Sequence, residues 1–310
     1  MINEYISAVV PVYRSRAMLV ELTERISAVL SSIVSEYEII YVEDCGGDDS
    51  WDLIKELSIQ HSFVKGVKLS RNYGQHNALL CGIRAAKGNI IVTLDDDLQN
   101  PPEEIPKLVA ELLLGYDVVY GYPAKETHGL FRDCASRITK FALQDSMGMN
   151  VARKVSAFRV FNTRLRDAFK TYQSPSVNIE VLLTWATSNF SAVEVKQNTR
   201  AQGVSGYTLR KLVSHAINML TGFSTIPLRI ASMLGLLFGV LGLIILSYVI
   251  IQYILIGSAV PGFTFIVSVV CIFSGVQLFT IGVIGEYISR MHFRMMNRPA
   301  YFSKEYVNLD

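Results

Sequence analysis

The stretch Ile90-Ile91-Val92-Thr93-Leu94-Asp95-Asp96-Asp97-Leu98-Gln99-Asn100-Pro101-Pro102 (IIVTLDDDLQNPP) runs from an apolar segment into three consecutive carboxylates. The β-branched run reads as a buried strand, and Asn100 followed by two prolines reads as a helix start. Neighbouring like charges at the edge of a core repel, and such a group normally protonates or pairs. A strand ending in acid and followed by a helix is the unit from which the surrounding chain is built.

Short β-branched runs at 6–12, 37–43, 64–70, 89–94 and 117–121 alternate with segments of helical apolar spacing at 16–32, 50–60, 74–86 and 103–114. Strand–helix alternation of this kind predicts an α/β domain with a mostly parallel sheet covered by helices on both faces. Ligands of such sheets bind beyond the carboxyl ends of the strands. Two acidic clusters fall there: Glu43 and Asp44 with Asp48 and Asp49, and the triplet Asp95 to Asp97. Beyond 121 the pattern loosens, with a basic amphipathic helix expected at 130–143, a short strand at 157–161 and a helix at 177–187.

Across 310 residues, 29 Lys and Arg oppose 27 Asp and Glu, a net charge of +2 that gives no bulk reason to expect nucleic acid. Four scattered cysteines read as buried thiols, and five distant histidines lack zinc spacing. The first residues carry acid before a short apolar run, unlike a signal peptide, so the hydrophilic part is expected in the cytosol. From Ile230 to Gly285 there is no Asp, Glu, Lys or Arg. Spans at about 230–257 and 262–285 are each long enough to cross hydrocarbon, and the short uncharged link between them makes a hairpin. Arg210, Lys211 and Arg229 precede it, and Arg290, Arg294, Arg298 and Lys304 follow, so positive charge places both termini in the cytosol. Residues 206–223 put Leu209, Leu212, Val213, Ala216 and Leu220 on one face, which suits a helix lying in the membrane interface or one packed on the soluble domain. The expected organisation is a cytosolic α/β domain at 1–205, an interface helix at 206–228, a hairpin at 229–286 and a cytosolic tail at 287–310.

Asp95 and Asp97 at a strand end suit Mg²⁺ or Mn²⁺, which take one or two carboxylates and fill the remaining positions with water and phosphate oxygens. That makes a seat for a nucleoside diphosphate, whose leaving charge the cation would neutralise. An acidic turn with no ligand is the alternative reading of the triplet alone.

The ordered motifs reach further. VVPVY at 9–13, YEIIYVEDCGGDDS at 37–50, LSRNYGQHNALLCGI at 69–83, LDDDLQNPPEEIP at 94–106, GYDVVYG at 115–121 and FRVF at 158–161 are followed by RAQGVSGY at 200–207 and STIPLRI at 224–230. After the hairpin come GEYISR at 285–290 and RPAYF at 298–302. In these the chain resembles the family 2 glycosyltransferases, specifically the polyprenyl-phosphate glycosyltransferases, over nearly its whole length. The resemblance implies a nucleotide-diphosphosugar transferase fold of the GT-A type, Rossmann-like, that inverts the anomeric centre. It implies transfer of one sugar from a nucleotide-diphosphate donor, UDP-linked by preference, to a polyprenyl phosphate such as undecaprenyl phosphate at the cytosolic face of a bacterial inner membrane. By similarity, Pro11, Tyr13 and Asp44 line the base and ribose pocket, Arg71 and Gln75 face the donor, and Asp95, Asp96 and Asp97 flank the diphosphate. Asp97 and Asp95 are the implied metal ligands, and Gln99 sits close to the sugar. Arg200, Ser205 and Tyr207 match an R-x-x-G-x-S-x-Y segment and, with Arg132, Arg137 and Arg159, are implied to hold the acceptor phosphate. Asp44 could instead cap a helix, and Arg159 could instead be a structural ion-pair partner. Relatives with this hairpin assemble as homo-oligomers, tetramers among them.

Two departures stand out. Arg14 replaces an Asn common after PVY, and Ala157 occupies the place before FR where many relatives have an Asp assigned as catalytic base. An alcohol acceptor needs such a base, whereas a phosphate monoester with a second pKa of about 6 arrives ionised at neutral pH. Ala157 therefore fits a phosphate acceptor better. A processive polysaccharide synthase is the rival enzyme, but no QxxRW follows the acidic motif. A non-catalytic membrane protein that retains a sugar-nucleotide pocket is the rival of another class.

Overall fold

The structure, a computed structural model, describes residues 2–123, 149–152, 154–198, 226–256 and 262–309. The helices expected at 130–143 and 206–223 lie outside the described residues. The chain divides into two compact units, Met1–Val213 with Asn297–Asp310 and Ser214–Met296.

In the first unit, β1 (Ile2–Val12), α1 (Arg16–Ile33), β2 (Val34–Glu43), α2 (Ser50–Gln60), β3 (Val64–Leu69), α3 (Gln75–Ala85) and β4 (Ile90–Thr93) follow one another. Strands β4, β1, β2 and β3 lie side by side and parallel. The helix α4 (Ile105–Leu113), entered through a 3-10 turn at Pro102–Glu104, leads to β5 (Val118–Pro123). Then β6 (Arg159–Asn162) inserts antiparallel between β4 and β5, and α5 (Ile179–Ala186) precedes β7 (Phe190–Val195). The full order is β7-β5-β6-β4-β1-β2-β3-β8, with β8 (Ser303–Val307) supplied by the C-terminal tail. The expected α/β sheet is present; β6 corresponds to the short strand expected at 157–161 and runs antiparallel, and the antiparallel β8 is a strand that periodicity did not place.

Alternation within the strands sorts the faces. Ile6, Ala8, Val10 and Val12 join Leu19, Leu22, Ile26 and Leu30 of α1 in one buried cluster, where the 3–4 spacing of the helix makes a single apolar stripe. The intervening Val9 faces α3 instead, and a Cβ added at Gly82 would lie 2.4 Å from its Cγ1. Gly82 is thus the contact that lets α3 sit close on β1 and β2.

The tail strand β8 pairs antiparallel with β3 and covers what would otherwise be a bare sheet edge. Trp51 Nε1 donates to Glu305 Oε2 at 2.8 Å, and Asn308 Nδ2 donates to Ser58 O at 2.7 Å. Gly66 has no room for a side chain because Ile54 and Val307 close over it.

In the second unit, α6 (Ile226–Ile256) and α7 (Phe263–Met295) contain apolar stretches Pro227–Leu255 and Ile272–His292, with mean hydropathy 2.7 and 1.3. At about 1.5 Å rise per residue, 29 and 21 residues each reach roughly the 30 Å of a hydrocarbon core. Leu236, Leu237, Ile244 and Ile251 are exposed along α6, and such apolar surface suits lipid. Phe238 and Phe273 meet edge-on at 6.0 Å between the helices.

Gly82→Ala should overpack the α3–β1 contact and destabilise the protein by about 1–3 kcal/mol. A melting temperature unchanged from wild type would contradict that packing.

Candidate active site

The carboxyl ends of β1, β2 and β4 lie together because the three strands run parallel in register, with Val9 level with Ile40 and with Thr93. Just past each end the backbone turns through a left-handed residue that is not glycine. These are Arg14 (φ 58) after β1, Cys45 (φ 53) after β2 and Leu98 (φ 57) after β4. Such conformations are unfavourable by about 1–2 kcal/mol for an L-residue, so the surrounding contacts must hold them. Arg14 Nε donates to Gly46 O at 2.9 Å, and Gln99 N donates to Asp97 Oδ1 at 3.1 Å. Asparagine tolerates this backbone region better than arginine, which gives the Asn of relatives at position 14 a conformational reason.

Between these turns lies a cavity of about 300 Å³. Pro11, Val12 and Tyr13 line it from β1, Asp44 from the end of β2, Asn72, Gly74 and Gln75 from the entry to α3, and Asp95, Asp96 and Asp97 from the end of β4. The donor residues inferred from the sequence thus converge, except Arg71. Arg71 packs its guanidinium 4.7 Å from the Tyr73 ring and is not among the lining residues.

Each carboxylate is held differently. Asp44 accepts from Tyr73 N and Gly74 N, both at 2.7 Å, so it fixes the turn that leads into α3 while lining the cavity. Burial raises its pKa, and those two bonds oppose the rise. Asp96 accepts from Tyr13 N at 3.0 Å and from Ser15 Oγ, tying β4 to the β1 turn. Burial raises its pKa too, against the Ser15 and Tyr13 bonds. Asp95 points the other way and accepts from Gln75 Nε2 at 2.6 Å. Burial, then the charges of Asp97 and Asp96, push its pKa up to about 7, with Arg159 and Gln75 opposing. Asp95 therefore holds its proton up to about pH 7, and a bound cation would stabilise its charged form.

Gln99 contributes its backbone here: its N–H bonds to Asp97, and its carbonyl accepts from Asn198 N at 2.9 Å. Arg132, Arg137, Arg200, Ser205 and Tyr207 lie outside the described residues. Arg159, inferred as a phosphate ligand, has a side chain only 1% exposed and an ion pair from Nη1 to Glu180 Oε1 at 2.9 Å. Its Nε donates to Thr93 Oγ1 at 3.1 Å. The geometry fits the alternative of a structural ion-pair partner, because the charge is buried and already matched. Sequence reasoning missed Asn72 and Gly74, although both belong to the RNYG segment it quoted. It also missed Glu180, whose place beside Arg159 arises only from folding.

Asp44→Ala should strand the Tyr73 and Gly74 amides and release the segment carrying Gln75. A loss of about 1–3 kcal/mol of stability is expected in thermal or chemical denaturation. A variant as stable as wild type would show that water satisfies these groups.

The sequence profile of Glycosyl transferase family 2 matches residues 7–172, and that of the GtrB C-terminal hairpin matches residues 226–291. The chain is 34% identical over 305 residues to the undecaprenyl-phosphate 4-deoxy-4-formamido-L-arabinose transferase of Aeromonas hydrophila, covering 97% of this chain and 94% of that one. Against the transferase of the same name from Pseudomonas fluorescens the identity is 34% over 300 residues, covering 96% and 88%. Among solved structures, glucosyl-3-phosphoglycerate synthase from Mycobacterium tuberculosis, in complex with Mn²⁺, UDP and glucosyl-3-phosphoglycerate, superposes with a TM-score of 0.53 at 20% identity, over 70% of this chain and 78% of that one. That likeness concerns the fold, which is the GT-A fold of glycosyltransferases. The protein belongs to glycosyl transferase family 2 and is a glycosyltransferase whose catalytic fold is joined to a GtrB C-terminal hairpin.

Proposed function

We propose that the enzyme moves a single sugar, with inversion, from a nucleotide-diphosphate donor to undecaprenyl phosphate at the cytosolic face of a bacterial inner membrane. The product would be a polyprenyl-phosphate sugar for cell-envelope glycan or lipid modification. The observation that carries this reading is an acidic cavity at three strand ends, in a chain aligned almost end to end with undecaprenyl-phosphate sugar transferases. The apolar helices α6 and α7 support a membrane position, with both termini cytosolic by the distribution of basic residues. A pentose close to the formamido-arabinose of those relatives is the first donor to test.

The residues divide the work. Pro11, Tyr13 and Asp44 flank the base and ribose, with Asp44 also fixing the turn that carries Gln75. Asp95 and Asp97 would hold Mg²⁺ or Mn²⁺, which would neutralise charge on the leaving diphosphate. The fit is good on one physical count: Asp95 is crowded by Asp97 and Asp96 and bonded by a single neutral amide. Among the described residues no group of three or more His, Cys, Asp or Glu could hold a metal by itself. Two carboxylates plus donor oxygens is the coordination that hard divalent cations accept. Arg200 keeps the role that its R-x-x-G-x-S-x-Y motif implies. With Arg132, Arg137, Ser205 and Tyr207 it would hold the acceptor phosphate. No base is required of Ala157, because the nucleophile is already ionised at neutral pH. Membrane confinement of the acceptor raises its effective concentration for an enzyme anchored in the same bilayer.

Membranes containing the enzyme, Mn²⁺ and radiolabelled donors should yield label in organic extract, and Asp97→Asn should abolish it. Folded enzyme that labels no lipid with any donor of a broad panel would defeat the proposal. The raised pKa of Asp95 sets a pH dependence as well. Below about 7 the folded protein holds a proton there, so Mn²⁺ must displace it and affinity should fall by up to about tenfold per pH unit. Above that value affinity should level off, and Asp95→Asn should flatten the profile. In the metal-free protein the same shift makes the Asp95 contribution to stability fall as pH rises from about 4 towards about 7, since only the unfolded chain has lost the proton. A flat binding profile in the wild type would overturn this assignment.

A further inference from the structure

A buried ion pair lies beneath the carboxylate triplet and takes no part in the steps above. Arg159 of β6 stands opposite Thr93 of β4 in the antiparallel ladder, so their side chains share one face of the sheet. Asp95 lies two residues past Thr93, and its bond from Gln75 of α3 places it towards the same helix-covered side. The guanidinium is almost fully buried, and such a charge needs a carboxylate partner. Its Nε donates to Thr93 Oγ1 at 3.1 Å, two residues before Asp95, while its Nη1 reaches Glu180, so the guanidinium lies between two carboxylate-bearing segments.

Glu180 takes it. The residue sits in the first turn of α5, after an Asn178 cap whose Oδ1 accepts from Val181 N at 3.0 Å. Glu180 Oε1 is 2.9 Å from Arg159 Nη1, and Oε2 is 3.6 Å from His76 Nδ1. Burial would raise the Glu180 pKa, but Arg159 and His76 hold it below the ordinary value, so it stays a carboxylate. An acid before the FR pair would offer Arg159 another partner; Ala157 removes it and leaves that part to the helix. The pair with Glu180 occupies the Arg159 guanidinium on the sheet face that Asp95 shares.

We propose that Glu180 is a positioning residue that holds the Arg159 guanidinium away from Asp95, keeping Asp95 available to the divalent cation. The inference rests on the cation reading of the preceding subsection. With Glu180 neutral, Arg159 would turn its full charge on Asp95, pairing with it and repelling a cation together.

The test uses the full chain in detergent with UDP, and free Mn²⁺ read by electron paramagnetic resonance. Glu180→Gln preserves shape and removes charge, and should weaken Mn²⁺ binding by about tenfold or more, the effect of one nearby charge. UDP binding in metal-free buffer should stay unchanged. The double variant Arg159→Met/Glu180→Gln removes both charges and should restore wild-type Mn²⁺ affinity, an outcome that a merely structural role for Glu180 would not produce. Replacing both members of a buried pair is also better tolerated than removing one, so the double variant decides the matter if the single one does not fold. A folded Glu180→Gln protein that binds Mn²⁺ as wild type does, or a folded double variant that still binds weakly, would overturn the proposal. Failure of the underlying reading looks different: wild type and Asp97→Asn would then bind Mn²⁺ equally, whatever stands at 180.

Discussion

Mutual repulsion among Asp95, Asp96 and Asp97 is the constraint around which the catalytic fold is arranged. Three adjacent carboxylates at a half-buried sheet edge cannot share one environment, and strand geometry separates them. Asp96 turns to the β1 turn and is bonded by Ser15 and Tyr13, while Asp95 turns to α3 and is bonded by Gln75. Asp97 accepts the amide of Gln99 within its own turn. Burial, and after it the charges of Asp97 and Asp96, raise the Asp95 pKa to about 7. A site that must bind a cation and then a diphosphate benefits from charge held in place but not neutralised by the protein.

Holding it has a structural cost. Left-handed Arg14, Cys45 and Leu98 each follow a strand that delivers a site residue. A relaxed chain would place glycine or asparagine there. Strain at functional positions is sustained by rigid surroundings, and here those surroundings are a parallel sheet core and helices packed on both faces. Asp44 links the two levels, since its oxygens bond the amides that open α3 while its side chain borders the cavity.

The C-terminal tail joins the same framework. Asn77 of α3, two residues from Gln75, donates to Ala300 O, and Arg84 of α3 packs over the Tyr301 ring at 5.7 Å. Strand β8 then completes the sheet beside β3. The segment that follows the apolar helices in sequence is therefore part of the catalytic fold, and the helix that carries Gln75 is braced by it.

Periodicity read locally was enough to find most of this. Alternating β-branched runs located the central strands, 3–4 spacing located α1 to α4, and the charge-free segment after Ile230 located the apolar helices. Both patterns record how a segment faces its own core, which a short window reveals. The acidic clusters were legible for a related reason, since each stands directly after its strand. Pairings between distant segments left no such trace. The mixed charges of Ser303–Val307 suit an edge strand and obscure its alternation, and nothing in them announces Trp51 or β3 as partners. Arg159 reads equally well as a phosphate ligand or an ion-pair partner until α5 brings Glu180 to it. The amino-acid sequence by itself determined the central strands, the helices packed on them and the acid-bearing turns, because burial is periodic along each of those elements. Only the tertiary structure decided which charges are matched and which are left for a ligand, because that depends on side chains that meet across the fold.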